Sequence, residues 1–109
     1  NTKPLRAQGL MHYKVWPKGL HGLLFVFPKE EIFSMWMRNT YLPLDILFID
    51  KYGRIIHVVK NTKPLSEEQI SSTIPAAAAI EIPAGSADKW QIQLGDTVMH
   101  SSFQSIAPQ

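Results

Sequence analysis

The 109 residues contain no cysteine. That one absence removes disulfide scaffolds, thiol nucleophiles and cysteine-ligated zinc or iron–sulfur sites. No apolar run approaches the ~18 residues of a membrane-spanning helix. Neither a Gly-rich phosphate loop nor a Gly-x-Ser-x-Gly nucleophile elbow occurs. Acidic residues are missing up to Lys18, leaving Lys3, Arg6, Lys14 and Lys18 as the only charges there, yet the whole chain is only +2. So small an excess, without Lys and Arg clustered among stacking aromatics, leads us to expect no nucleic-acid partner and a solvated N-terminal segment. What is present is 45% hydrophobic and 18% charged residues. That apolar content is enough for one domain, residues 1–109, to bury about 65% of its unfolded surface without a staple.

The hydrophobic pattern has mostly the period of strands. Gly22–Phe27 is continuously apolar, halts at Pro28 and reads as a strand buried on both faces. In Ile32–Thr40, alternation sets Phe33, Met35, Met37 and Asn39 on one face, and Ser34, Trp36, Arg38 and Thr40 on the other. Leu44–Asp50 and Arg54–Lys60 form a hairpin around Asp50-Lys51-Tyr52-Gly53, where Asp closes the turn and Gly takes the left-handed position. Ser66-Glu67-Glu68-Gln69 has the spacing of a capping box and predicts a helical turn. Ala76–Pro83 resumes an extended pattern between two prolines, with Glu81 turned to solvent between Ile80 and Ile82. Ser86 caps a short helix through Trp90, and Thr97–Ser102 is a last strand before a loosely held tail, 103–109. The expected order is a short helix, four strands, a helical loop, a strand, a short helix and a strand. We expect a mainly β single domain, either a small β-barrel or a folded-over antiparallel sheet.

Asn1-Thr2-Lys3-Pro4-Leu5 recurs at Asn61-Thr62-Lys63-Pro64-Leu65, but Arg6-Ala7-Gln8 then meets Ser66-Glu67-Glu68. A structural repeat would run over a whole supersecondary unit, so we treat the match as coincidence.

The densest polar cluster is Trp36-Met37-Arg38-Asn39-Thr40, followed by Pro43-Leu44-Asp45. Arg38 offers a planar donor fork, Asn39 and Thr40 add neutral hydrogen-bonding groups, and Asp45 is available to pair with Arg38. The cluster suits a carboxylate, a sugar or a peptide end. It equally suits a strand end whose polar side chains satisfy loop amides. Met11-His12 and Met99-His100, with Met35 and Met37 around Trp36, supply soft ligands for Cu(I). Adjacent strand residues face opposite sides, however, so neither Met-His pair chelates one ion. His21 and His57 lack the spacing of a zinc site, and we expect no metal and no cofactor. Asp45 and Glu81 are the carboxylates available for general acid–base work on a glycan or ester.

Taken together, Gly9-Leu10-Met11, Gly22–Phe27, Trp36–Thr40 and Pro43–Asp50 closely resemble the domain of unknown function 192 family. Gly53, Glu81, Ala84-Gly85 and Gly95-Asp96 agree with the pattern. The similarity runs from about Arg6 to Val98. It implies a small barrel-like β domain, commonly behind a signal peptide or lipid anchor in bacteria, hence periplasmic or extracellular, with no established enzymatic activity. Where the family usually has Met, this chain has Leu23, and the family's strand before Gly-Leu-Met is expected to be missing or disordered here.

The resulting expectation is an exported, non-enzymatic binding or accessory domain. Its candidate site is Met11, Trp36, Arg38, Asn39, Thr40 and Asp45, and its partner is a small polar ligand or an envelope protein. The alternatives are an envelope glycan or ester hydrolase and a periplasmic Cu(I) protein using Met11, Met35, Met37 or Met99.

Overall fold

A computed structural model of the chain describes residues 10, 12–16, 18–19 and 22–98. Among these residues six strands and one helix follow in chain order: β1 (Leu23–Glu31), β2 (Ser34–Met35), β3 (Leu44–Ile49), β4 (Ile55–Val59), β5 (Ile70–Ser71), β6 (Ala76–Pro83) and α1 (Ser86–Lys89). The main sheet is antiparallel in the order β1-β6-β3-β4, and β2 and β5 form a small second sheet. The protein is mainly β, as its alternating pattern predicts. Among the described residues the main sheet stays open at β1 and β4, so the folded antiparallel sheet, rather than a closed barrel, is the form adopted.

The middle of the sheet explains its two most uniform segments. All six residues of β3 are buried, because β3 has a neighbour on each side and apolar layers on both faces. Four successive alanines open β6, where helix propensity alone would favour a helix. Register decides otherwise: Ala79 opposes Phe25 on β1 and Phe48 on β3, so a small residue leaves room for two rings. One face of the sheet carries Ile46, Phe48 and Ala79 against Leu10, Phe33, Met35 and Met37. The other carries Leu47, Ile49, Ala78 and Ile82, with Ile92 and Val98 packed against them.

The Asp50–Gly53 turn forms as its residues predict. Asp50 Oδ1 accepts from the backbone N–H of Tyr52 and of Arg54 (both 2.9 Å), and Gly53 takes φ +83°.

Elsewhere long-range pairing overrides the local pattern. β1 runs through Pro28 to Glu31 and leaves Val26 exposed: an edge strand tolerates the missing N–H, and the ladder slips between Val26 and Glu31. Ile32–Thr40 shortens to β2. Phe33, Met35 and Met37 do share a buried face, but Asn39 is exposed in a turn at φ +57°.

No helix follows Ser66. Leu65 is left-handed at φ +66° and donates its N–H to Thr40 C=O, while Ser66 C=O accepts from Met37 N–H. The Ser66 C=O, which would accept the first bond of a helical turn, is thereby committed, and Ser66 Oγ accepts from Glu68 N–H at 3.2 Å instead of from the amide one residue on. The predicted last strand is a single bridge, Thr97 to Arg54, as far as Val98. Asn1–Leu5, the expected N-terminal helix, Met11, His21, Met99, His100 and the tail lie outside the described residues. Asn61–Leu65, the other copy of the repeated pentapeptide, is fastened to β3 through Thr62, which exchanges bonds with both backbone groups of Leu44.

Candidate functional site

Three stretches of chain meet at one end of the molecule. His12 N–H donates to Asn39 C=O at 2.8 Å, Met37 N–H to Ser66 C=O at 3.1 Å, and Leu65 N–H to Thr40 C=O at 3.0 Å. Thr40 N–H closes a tight turn on Met37 C=O at 2.9 Å. Three non-glycine residues on these stretches are left-handed: His12 (φ +71°), Asn39 (+57°) and Leu65 (+66°). Such conformations cost energy, most of all for leucine, and concentrate where a surface must hold a particular shape.

The predicted site residues divide on this scaffold. Trp36 is half-buried, and the Arg38 guanidinium lies over its ring at 5.3 Å. The Arg38 side chain is about half exposed, and its Nε stands 3.8 Å from Glu67 Oε2. Asn39 is exposed at the turn. Thr40 is buried, with its hydroxyl donating to Arg38 C=O at 3.3 Å. Tyr41 and Lys14, which the motif reading missed, join the surface, with Lys14 Nζ 5.4 Å from the centre of the Tyr41 ring. The only local sequence signal for them is aromatic residues interleaved with cations on the two segments.

Asp45 does not pair with Arg38. It is fully buried, and its carboxylate is shared among three backbone amides: Asn61 N–H on Oδ1 at 2.9 Å, and Gly85 and Ala87 N–H on Oδ2 at 3.0 and 2.9 Å. Gly85 and Ala87 stand at the start of α1. Asp45, and not Ser86, therefore satisfies the unpaired amides of that helix. Of the two readings of this block, turn chemistry accounts for Asp45 and Thr40, which leaves the half-buried Trp36 and the exposed Arg38 and Asn39 as candidates for binding.

Glu81 is the largest departure from the sequence pattern. Its residue is 4% exposed, opposite Leu23 on β1 and Ile46 on β3. No hydrogen bond or ion pair reaches its carboxyl among the described residues, and burial pushes that carboxyl up to about 8. The alternation of Ile80 and Ile82 misled because both faces of β6 are covered. The unbroken run of small apolar residues before it was the available signal for a strand buried on both sides.

Because Glu81 opposes Ile46 and Asp45 is the residue beside Ile46, the two carboxylates face opposite sides of the sheet. They do not form a pair across one cleft. Met35 and Met37 are core residues, and His57 stacks on Phe48 at 6.0 Å between ring centres. Among the described residues no three His, Asp or Glu side chains are grouped as a metal site.

Comparisons with known proteins agree with the pattern of the motifs. The family model DUF192, described as Uncharacterized ACR, matches residues 1–100. No curated protein matches the chain. A solved structure from Sinorhizobium meliloti 1021, provisionally described as a transcription regulator, is 41% identical; the alignment covers 86% of this chain and 72% of that one at a TM-score of 0.79. A protein of unknown function from Novosphingobium aromaticivorans DSM 12444 is 31% identical over 91% of this chain and 70% of that one, with a TM-score of 0.82.

Proposed function

The chain belongs to the DUF192 family, and from that premise we propose that it is a non-enzymatic, exported binding module whose ligand carries a polar or anionic group. The observation that carries this reading is the exposed Arg38 guanidinium seated on the Trp36 ring, at the turn where His12, Asn39 and Leu65 are all left-handed. In this reading Trp36 supplies a flat apolar contact and holds the guanidinium. Arg38 pairs with the anionic or polar group, and Asn39, at the tip of the turn, fixes its orientation. Thr40 keeps the turn in place, Asp45 ties the Asn61 loop and the start of α1 to β3, and neither touches ligand. The exported location rests on the family resemblance alone, and fractionation of cells producing the full-length protein tests it.

The rival readings draw less support. A hydrolase built on Asp45 and Glu81 needs them in one cleft, about 5–9.5 Å apart, and the sheet sets them on opposite faces. A Cu(I) site loses Met35 and Met37 to the core.

A thermal-shift screen against small carboxylates, glycans, peptides and reduced copper, with wild type and Arg38→Ala, tests the proposal. The description of the Sinorhizobium relative adds duplex and single-stranded DNA to the panel. A ligand at 100 times its dissociation constant adds about 2.7 kcal/mol. The proposal expects an anionic hit that disappears with Arg38→Ala while the unliganded melting temperature stays unchanged. A hit that survives Arg38→Ala contradicts it.

A further inference from the structure

Resting on the binding surface proposed above, we infer that its occupant is an acidic peptide segment, and that Glu67 holds the anion seat in cis until such a segment displaces it. The surface carries two cations, each lodged on a ring: Arg38 over Trp36 at 5.3 Å and Lys14 over Tyr41 at 5.4 Å. The hydrogen bond from His12 to Asn39 sets these pairs on neighbouring stretches of backbone. Lys14 lies two residues past His12, and Tyr41 two past Asn39.

A guanidinium lying on an indole is steadied by the π cloud, and its in-plane N–H groups stay free at the rim. Those N–H groups match a planar carboxylate, which accepts two of them side by side. Each cation covers one face of its ring, which leaves less of Trp36 and Tyr41 open to a stacked nucleobase or sugar. This argues for carboxylates arriving edge-on and against polymers that bind by stacking.

The chain itself supplies a stand-in. Glu67 Oε2 lies 3.8 Å from Arg38 Nε, beyond hydrogen-bond distance, with the two side chains 53% and 69% exposed. The bonds from Met37 to Ser66 and from Leu65 to Thr40 hold the Glu67 backbone beside the turn. A carboxylate is thereby kept next to the guanidinium without closing on it. Exposed pairs of this kind contribute little, so an external carboxylate that closes the hydrogen bonds displaces it readily. Val15 (75% exposed), beside Lys14, and Leu65 (50%), two residues before Glu67, add aliphatic surface, which suits a peptide that mixes acidic and apolar side chains.

The test is isothermal titration of the full chain with a synthetic peptide of alternating Glu and Leu. The same peptide with Gln for Glu, phosphatidylserine vesicles and an oligothymidylate serve as comparison probes. Glu67→Gln, Lys14→Met and Arg38→Met are exposed substitutions, and their melting temperatures check the fold. We expect Glu67→Gln to tighten the acidic peptide by about two- to fivefold. Lys14→Met and Arg38→Met each weaken it by at least about threefold, and the Gln peptide does not bind. Unchanged or weakened affinity in Glu67→Gln overturns the cis seat. Tighter binding of vesicles or oligothymidylate than of the peptide overturns the peptide class, as does no binding of the peptide at all. If Arg38→Met abolishes binding of some anionic probe while Glu67→Gln and Lys14→Met change nothing, this inference fails and the broader reading stands. If Arg38→Met binds every probe as wild type does, both fail.

Discussion

Asp45 and Glu81 sit one register step apart across the β3–β6 ladder and face opposite sides of the sheet: Asp45 opposes Ile82, and Glu81 opposes Ile46. Their surroundings differ as much as their directions. Three amides share the Asp45 carboxylate, whereas Glu81 lies in an apolar layer with no partner among the described residues. Each has its own measurable consequence.

Asp45→Ala removes the acceptor for three amides that link β3 to the Asn61 loop and to the start of α1. Buried donors left unpaired cost about 1–3 kcal/mol each, so urea denaturation of the variant shows a loss of at least about 3 kcal/mol, or no folding at all. A variant with wild-type stability that had lost only ligand binding contradicts the structural role.

Glu81 gives stability a dependence on pH. Its carboxyl titrates at about 8 in the folded chain, against an ordinary value of 4.5. Between those values the folded state holds a proton that the unfolded state has released, so this group's contribution is fully present below about 4.5 and lost as pH rises through about 8. The slope is on the order of 1 kcal/mol per pH unit. Denaturation curves at pH 5, 6, 7 and 8 show wild type weakening relative to Glu81→Gln, which keeps the shape and cannot ionise. Parallel pH profiles contradict the assignment.

Gly22 precedes β1 where the chain passes close to β6. A Cβ there falls 2.9 Å from both the Glu81 carbonyl oxygen and Ile82 Cγ2, and the oxygen belongs to the backbone of a central strand. Gly22→Ala is therefore expected to cost roughly 1–3 kcal/mol, read as a lower urea midpoint.

Ser72 is buried between the small sheet and the loop after it. Its Oγ accepts from Phe33 N–H at 3.0 Å and donates to Ile74 C=O at 2.7 Å. Ser72→Ala breaks both bonds, and about 1–3 kcal/mol of stability is lost, with faster amide exchange at Phe33. An unchanged exchange rate there contradicts the assignment.

What the sequence made legible was whatever short stretches decide for themselves. The Asp50–Gly53 turn needs only an Asp side chain and a left-handed Gly, and the bounds of β6 follow from Pro75 and Pro83. Met35 and Met37 are buried because a two-residue period survives even where the ladder between β2 and β5 is short. The roles of Asp45 and Glu81 were not legible, since each depends on partners some forty residues away or on what covers a face. Asp45 reaches Gly85 and Ala87, and Glu81 is enclosed by Leu23 and Ile46. Ser66 failed for a related reason: a capping-box spacing does not form a helix when the cap's own C=O accepts from Met37 N–H and its N–H donates to Lys63 C=O. Of the six candidate residues, Thr40 and Asp45 prove to be scaffold, Trp36 lies half-buried beneath the exposed Arg38, Asn39 is exposed beside them, and Met11 lies outside the described residues.

The central claim is that the Trp36–Tyr41 turn, together with Lys14, is where a ligand binds. The most direct measurement is a two-dimensional amide NMR titration of the ¹⁵N-labelled chain with the acidic peptide. Saturable shifts are expected at Trp36, Arg38, Asn39, Tyr41 and Lys14 that vanish in Arg38→Met, with the amides of β4 and α1 unmoved. Saturable shifts centred on another surface, or shifts at the turn that persist in Arg38→Met, contradict it.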